Sequence, residues 1–155
     1  MARVRLSLPD QEATRAFGDR LAGLIRPGDV IALRGALGAG KTELARALIR
    51  ARAGAAIEVP SPSYTLLQDY RFGDFVIRHI DLYRIAEPAE LLELGLDAPA
   101  ADEAWLIEWP EHAGAALPPD RLEVELRQGD APDARIADVT AGPSWQERLK
   151  TLRGA

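Results

Sequence analysis

Apolar positions recur with two different spacings near the start of this chain. Val4, Leu6 and Leu8 alternate with polar residues, which predicts a half-buried strand. After Asp10, a residue suited to a helix N-cap, apolar side chains follow at helical spacing as far as Pro27-Gly28. These side chains are Ala13, Phe17, Leu21 and Leu24. The pattern therefore predicts a strand followed by an amphipathic helix.

Three short apolar runs predict buried strands of a parallel sheet. They occupy residues 30–33, 75–80 and 104–107. Asp81 follows the second run directly, and Glu108 follows the third. Ligands of parallel α/β sheets bind beyond the carboxyl ends of the strands, so we expect both carboxylates at that edge.

Helices and turns separate these runs. Residues 43–52 are rich in Ala, Leu and Arg and predict a helix that stops at Gly54. Pro88 suits the first turn of a shorter helix. Residues 57–70 are polar and interrupted by prolines, so we predict no helix there and little strand periodicity before Thr65.

The pattern changes in the C-terminal part of the chain. Two β-like runs flank residues 128–130, and a short helix is predicted from Ser144. The apolar positions of the two runs are Leu122, Val124, Leu126, Ile136 and Val139. Their spacing predicts an antiparallel hairpin.

Residues 35–42 match the pattern G-x-x-x-x-G-K-[ST] in full. In such loops, backbone N–H groups surround the phosphates of a nucleotide, and glycines leave room for that approach. Lys41 is expected to reach the β- and γ-phosphates, and Thr42 to coordinate Mg²⁺. The other expected nucleotide contacts in the loop are Leu37, Gly38, Ala39 and Gly40. The alternative is a glycine-rich turn that binds nothing.

Because this loop lies between a predicted strand and a predicted helix, we predict an α/β fold of the P-loop NTPase type. The expected architecture is a mainly parallel sheet flanked by helices, with a C-terminal antiparallel hairpin. Residues 1–155 are expected to form a single domain.

Turnover of a nucleoside triphosphate also needs acidic groups on neighbouring strands. We predict Lys41, Asp81 and Glu108 as catalytic residues, and Thr42 with Glu108 as metal ligands. One carboxylate would position Mg²⁺ and the other would orient an attacking water. Alternatively, each carboxylate only caps the turn that follows its strand.

Composition excludes several kinds of site. The chain has no cysteine and two histidines, so neither a disulfide framework nor a histidine-built metal cluster is expected. A net charge of −5 argues against nucleic-acid binding through the overall field of the protein. No apolar run is long enough to span a bilayer and no signal peptide is evident, so we expect a cytoplasmic protein without membrane contact.

The preferred base is indicated partly by a residue type that the chain lacks. The chain contains no asparagine, which the guanine-binding Asn-Lys-x-Asp signature requires, so a Ras-like GTPase is disfavoured and ATP is favoured. Trp109 and Tyr64 are aromatic residues near the predicted site. They could stack on a base, or they could be ordinary core residues.

Several further segments, taken in order, resemble the TsaE family of small bacterial P-loop ATPases. Asp-Leu-Tyr-Arg at 81–84 and Glu-Trp-Pro-Glu at 108–111 are the most specific. The full set is 10–14, 35–42, 61–66, 79–84, 93–96, 108–111 and 117–118. This resemblance implies ATP-dependent support of TsaB and TsaD in threonylcarbamoyladenosine formation, with tRNA engaged indirectly through that complex.

The resemblance also implies roles for particular residues. Asp81 and Trp109 match other functional positions of the family, and residues 61–65 match its switch-like loop. The adenine would lie near three residues, namely Gln11, Thr14 and Arg135. The chain departs from the family pattern at three positions, namely Ala36, Glu43 and Ser63, which affects the expected level of activity more than binding.

Two alternatives to an ATPase stay open at this point. A small-molecule kinase fits the length and the loop, but it usually carries an arginine-bearing lid late in the chain, where residues 120–140 predict a hairpin. A nucleotide-sensing module would bind ATP without turning it over.

Overall fold

The computed structural model describes residues 2–62 and 65–153. Its strands are β1 (Ala2–Leu8), β2 (Val30–Arg34), β3 (Leu67–Phe72), β4 (Phe75–Asp81), β5 (Glu103–Glu108), β6 (Leu122–Gln128) and β7 (Arg135–Ala141). Its helices are α1 (Gln11–Leu24), α2 (Lys41–Ala53), α3 (Ala89–Glu93) and α4 (Gln146–Arg153), with 3₁₀ segments at Pro110–Ala116 and Pro143–Trp145. All seven strands form one sheet in the order β1-β7-β6-β2-β5-β4-β3.

Local sequence accounts for the boundaries of the two long helices. The Asp10 carboxylate accepts a hydrogen bond from the Ala13 N–H at 2.8 Å, which is the N-cap contact expected for α1. Phe17 and Leu21 lie on its buried face. Helix α2 ends at Gly54, whose φ of 66° is the left-handed conformation that glycine adopts readily.

Two apolar layers cover the faces of the sheet. Helices α1, α2 and α4 contribute Phe17, Leu48 and Leu149 to the larger layer. The opposite face is covered by α3 and the 3₁₀ segment Pro110–Ala116, with Leu91 and Ala113 among its buried residues. Helix α2, which follows the glycine-rich loop, is therefore packed firmly in the larger layer.

The α/β class, the flanking helices and the C-terminal hairpin are confirmed, but the prediction of a mainly parallel sheet is wrong. Within the described strands, β2–β5, β2–β6 and β4–β5 pair parallel. Three other pairings, β1–β7, β6–β7 and β3–β4, are antiparallel. Two of these, β6–β7 and β3–β4, are hairpins whose short connections permit only antiparallel pairing. In the third, β1 from the start of the chain adds to the outer side of β7.

Strand β3 was not predicted from the sequence. It is an edge strand whose side chains are mostly exposed or half-buried, so it lacks an apolar period. The signal that could have found it is Gly73-Asp74, a two-residue turn between the paired Phe72 and Phe75.

The predicted strand ends are confirmed. Asp81 is the last residue of β4 and Glu108 is the last residue of β5, and the two are direct neighbours in the parallel register. The topology therefore brings both carboxylates together at the carboxyl ends of the parallel strands.

Among the described helices, we find none with the length and apolarity needed to cross a membrane.

Candidate functional site

The glycine-rich loop connects β2 to the first residue of α2. Gly38 and Gly40 have φ angles of 82° and 101°, and Gly40 is the N-cap of α2 without any side-chain cap. The first N–H groups of a helix have no partner within the helix, and its dipole is positive at that end. The start of α2 is therefore suited to receive an anion.

Gly35 shows why the loop must begin with glycine. Its φ is 147°, and a Cβ built on it would lie 2.6 Å from the Leu126 carbonyl oxygen and 3.0 Å from the Ala39 Cβ. The first of these atoms is backbone of β6, which cannot turn away as a side chain could. The loop can therefore cross β6 closely only if residue 35 has no side chain.

Replacing Gly35 with alanine is expected to lower the free energy of unfolding by about 2 kcal/mol, because both the φ angle and the backbone contact oppose a Cβ. Chemical denaturation measures this change. Gly23→Ala is the matched control: it lies in α1 with no atom near a new Cβ, so alanine should be neutral or stabilise by about 0.5–1 kcal/mol. Equal effects of the two substitutions would contradict the assignment of strain to Gly35.

Lys41 lies beneath the loop and is 5% exposed. Its Nζ donates hydrogen bonds to the carbonyl oxygens of Gly35 and, at 3.3 Å, of Ala36. It also sits 3.6 Å from the centroid of the Trp109 ring, a cation–π geometry. Burial lowers the pKa of Lys41, partly offset by nearby carboxylates including Glu108. The ammonium is thus held at the loop by neutral groups that an anion could replace.

Thr42, Glu108 and His79 form a continuous hydrogen-bonded chain. The Thr42 hydroxyl donates to Glu108 Oε1 at 2.8 Å, and Glu108 Oε2 lies 2.6 Å from His79 Nε2. Glu108 is 2% exposed and His79 is fully buried. Each carboxylate oxygen of Glu108 therefore has its own partner.

Asp81 lies beside this chain and is also buried. Its Oδ1 accepts a hydrogen bond from the Tyr83 N–H at 2.9 Å, which is the turn contact that a capping role requires. It also faces the same cavity as Lys41 and Glu108. The Asp81 carboxylate therefore makes the capping contact and also lies at the candidate site.

Trp109 directly follows Glu108 and has a left-handed backbone, with φ 58° and ψ 49°. Its ring centroid lies 5.1 Å from that of Tyr83 and 5.8 Å from that of His112. His112 Nδ1 in turn lies 2.7 Å from the Leu82 carbonyl oxygen. A non-glycine residue in this conformation is uncommon, and here the aromatic cluster and Lys41 hold it.

A cavity of about 490 Å³ opens above these groups. Most of the predicted site residues line it, together with several that were not predicted. The lining residues are Leu37, Gly38, Gly40, Lys41, Thr42, Glu43, Ser61, Asp81, Tyr83, Arg84, Glu108, Trp109 and Arg135. Ala39 differs, because its side chain is buried in the core and its N–H donates to the Ala36 carbonyl at 3.0 Å.

A second cavity of about 650 Å³ lies between α1 and α2. Gln11 and Thr14 line it, and it shares Gly40, Glu43 and Arg135 with the first cavity. The Arg135 Nε donates to the Ala39 carbonyl at 2.8 Å. The structure thus brings Gln11, Thr14 and Arg135 to one cavity beside the α2 N-terminus.

Ser63 and Tyr64 of the predicted switch-like loop lie outside the described residues. Glu43, Tyr83 and Arg84 line the first cavity, although sequence reasoning gave them no role in the site. The same is true of His79 and His112, which contact Glu108 and Trp109 respectively. A signal for His79 existed, because it stands two residues before Asp81 in a predicted strand and must point to the same face.

The oxygen atoms beside the loop are the kind of donor that Mg²⁺ prefers. Within residues 2–62 and 65–153, no cluster of three or more His, Cys, Asp or Glu side chains is arranged to hold a metal. Thr42 Oγ1 and Glu108 Oε1 nevertheless place two hard oxygen donors 2.8 Å apart beside the loop. Mg²⁺ bound to a nucleotide takes few protein ligands and keeps waters and phosphate oxygens, so these residues fit it.

Comparison with known proteins agrees with this architecture. The family described as threonylcarbamoyl adenosine biosynthesis protein TsaE matches residues 8–136. A Rickettsia bellii protein named tRNA threonylcarbamoyladenosine biosynthesis protein TsaE is 37% identical over 133 residues, covering 86% of this chain and 92% of its own. The Bacillus subtilis protein of the same name is 29% identical over 153 residues, covering 98% and 95%.

A solved structure shows the same fold. The crystal structure of Bacillus subtilis YdiB superposes with a TM-score of 0.75 and 27% sequence identity, covering 99% of this chain and 95% of that one. The match therefore includes the loop, both carboxylate-bearing strands and the C-terminal hairpin. With the family match over residues 8–136, these relatives establish a role in tRNA threonylcarbamoyladenosine biosynthesis, and the chain belongs to the TsaE family.

Proposed function

We propose that this protein is a Mg²⁺-dependent ATPase whose turnover supports the TsaB–TsaD complex in threonylcarbamoyladenosine modification of tRNA. The observation that carries the proposal is the hydrogen bond between Thr42 and Glu108 at the start of α2. It joins the last residue of the P-loop motif to a buried carboxylate on the neighbouring strand, beside Lys41 and an open cavity.

Phosphate binding would use Lys41 and the loop backbone. In this structure the Lys41 ammonium contacts two carbonyl oxygens and the Trp109 ring, and burial lowers its pKa. A phosphate oxygen carries more negative charge than a carbonyl, and a charge-assisted hydrogen bond is about twice as strong as a neutral one. The ammonium therefore gains by moving from the loop carbonyls to a phosphate.

Metal binding would use Thr42 Oγ1 and Glu108. Bound Mg²⁺ supplies positive charge that neutralises the phosphates during transfer. A hydroxyl that donates its hydrogen to Glu108 still keeps lone pairs for a cation, so the observed hydrogen bond is compatible with metal coordination. Asp81, the cross-strand neighbour of Glu108, is the group that we assign to orienting the attacking water.

The base would lie in the second cavity. This cavity meets the first at Gly40 and Arg135, so a triphosphate on the loop can extend its base toward Gln11 and Thr14. Arg135 is fixed between the two cavities by its hydrogen bond to Ala39. We propose ATP as the nucleotide because the chain also lacks the asparagine of a guanine-binding signature.

The kinase alternative finds no support in the fold. The late segment that would carry a lid consists of β6 and β7, which lie inside the sheet between β1 and β2. We therefore propose phosphoryl transfer to water, slow in the isolated protein and faster with TsaB–TsaD. ATP binding without phosphate release, with both partners present, would instead identify a nucleotide-sensing module.

Tryptophan fluorescence during titration with ATP and Mg²⁺ tests the proposal. Trp105 and Trp145 are buried in the two core layers, whereas Trp109 lies against Lys41 beside the cavity. We expect a saturable change with ATP, a much weaker one with GTP, and its loss in Trp109→Phe. The reason is that a phosphate that takes the Lys41 ammonium removes its contact with the Trp109 ring.

Calorimetry on the same samples shows whether ATP binds, independently of the Trp109 fluorescence signal. Trp109→Phe should still release or absorb heat with ATP and Mg²⁺, because the loop and Thr42 are intact. If the wild-type protein shows neither a fluorescence change nor heat, with or without TsaB–TsaD, the proposed function is wrong.

A further inference from the structure

His79 is a buried polar residue that the proposed chemistry has not used. It lies on β4, between β5 and the edge strand β3, and none of its surface is exposed. On the same face of the sheet its neighbours include the buried apolar residues Ile77 and Leu106. An apolar side chain would suit this place, so the imidazole needs a separate explanation.

Only one of the two ring nitrogens of His79 has a hydrogen-bond partner among the described residues. Its Nε2 lies 2.6 Å from Glu108 Oε2, and Nδ1 has no hydrogen-bond partner among residues 2–62 and 65–153. An ionised carboxylate only accepts hydrogen bonds, so Nε2 carries the hydrogen in this pair. Replacement of buried polar pairs by apolar side chains is often neutral or stabilising, so stability alone does not account for the pair.

The contact with His79 fixes the orientation of the Glu108 carboxylate. With Oε2 held by His79, rotation of the carboxylate about its last bond is blocked, and Oε1 stays directed at Thr42 Oγ1 at 2.8 Å. The donor to Oε2 comes from a neighbouring strand of the rigid sheet, whereas Thr42 lies on α2 next to the loop. His79, which does not line the cavity, therefore supports Glu108 from within the buried sheet.

We infer that His79 is a positioning residue that orients Glu108 for Mg²⁺ and so sets the Mg²⁺ requirement of nucleotide binding. This inference rests on the proposed function. Groups that orient a metal ligand from behind typically change metal affinity about 10- to 100-fold when they are removed. Loss of His79 should therefore act on the Mg²⁺ dependence much more than on binding without metal.

Two amide variants give the sharpest test. The Gln side chain can place its N–H₂ group near the position of the imidazole Nε2, whereas the shorter Asn side chain cannot. We expect His79→Asn to raise the Mg²⁺ concentration for half-maximal ATP binding about 10-fold or more. We expect His79→Gln to restore most of that loss. Calorimetry at fixed ATP and varied Mg²⁺ measures the midpoint, and binding without Mg²⁺ should change less than about twofold in either variant.

Ile77→Val is the control for a disturbed core, since Ile77 is buried on the same strand and face but lies opposite Ala104 rather than Glu108. Its Mg²⁺ midpoint should equal that of the wild type. A purely structural role for His79 would instead lower the unfolding temperature of both amide variants and leave their Mg²⁺ midpoints unchanged. That result would overturn the inference.

A second readout uses the metal-free and nucleotide-free protein. The chain has two histidines, so the imidazole ¹⁵N signals of His79 can be assigned by their loss in His79→Gln. We expect an Nε2–H tautomer whose hydrogen exchanges slowly with water. An Nδ1–H tautomer would overturn the inference even if the variants were unstable. A wild-type protein that binds no ATP at any Mg²⁺ concentration would instead reject the proposed function, so the two failures are distinguishable.

Discussion

Replacing Lys41 with alanine is expected to weaken ATP binding about 10- to 100-fold, since hydrogen bonds to charged groups contribute about 1.5–3 kcal/mol and each 1.4 kcal/mol is about tenfold. The nucleotide would lose the ammonium group that lies beneath the loop, and Lys150 lines neither cavity and so cannot replace it. Titration of both proteins with ATP and Mg²⁺ by calorimetry measures the change.

Lys150→Ala is the matched control. Lys150 is the other lysine of the chain, and it pairs with Glu147 on the exposed side of α4. Its removal changes the net charge equally but should leave ATP affinity within about twofold, because surface ion pairs contribute little. If the two variants bind ATP equally well, Lys41 does not hold the phosphates and the site is misassigned.

Glu108→Ala is expected to lower the rate of ATP hydrolysis about 100-fold or more while much of the nucleotide affinity remains. Metal coordination contributes several kcal/mol to charge stabilisation in the transition state, whereas ground-state phosphate binding depends mainly on Lys41 and the loop N–H groups. Phosphate release under saturating ATP, with TsaB–TsaD present, measures the rate, and calorimetry measures the affinity.

Two further variants show whether the loss of ATP hydrolysis in Glu108→Ala is due to the carboxylate itself. Glu108→Gln keeps the volume between Thr42 and His79, so loss of its turnover would not reflect a core defect. Glu111→Ala removes a nearby exposed carboxylate that also raises the pKa of Lys41 yet lines neither cavity, and its rate should stay near wild type. Small and equal effects of Lys41→Ala and Glu108→Ala would contradict both role assignments.

Sequence reasoning succeeded where a feature depends on neighbours in the chain. The helix start at Asp10, the stop at Gly54 and the strand ends at Asp81 and Glu108 follow from capping chemistry and apolar runs, which act over a few residues. The glycine pattern of residues 35–42 is equally local, because it is the backbone itself that must bend.

Sequence reasoning failed where a feature depends on which strands become neighbours. Strand β3 lies at the edge and has no apolar period, so its place beside β4 was not visible. The mainly parallel sheet was a wrong prediction for the same reason, since antiparallel strands at both edges are decided by pairing rather than by composition.

By itself, the sequence determined the glycine-rich loop, the helix that follows it and the two carboxylates at strand ends. Only the tertiary structure decided that Lys41 lies over Trp109, that Arg135 reaches Ala39 and that His79 holds Glu108. Local geometry is set by backbone sterics and capping over a few residues. Contacts between distant segments depend on strand order and register, and many segments of similar hydropathy could satisfy the same apolar pattern.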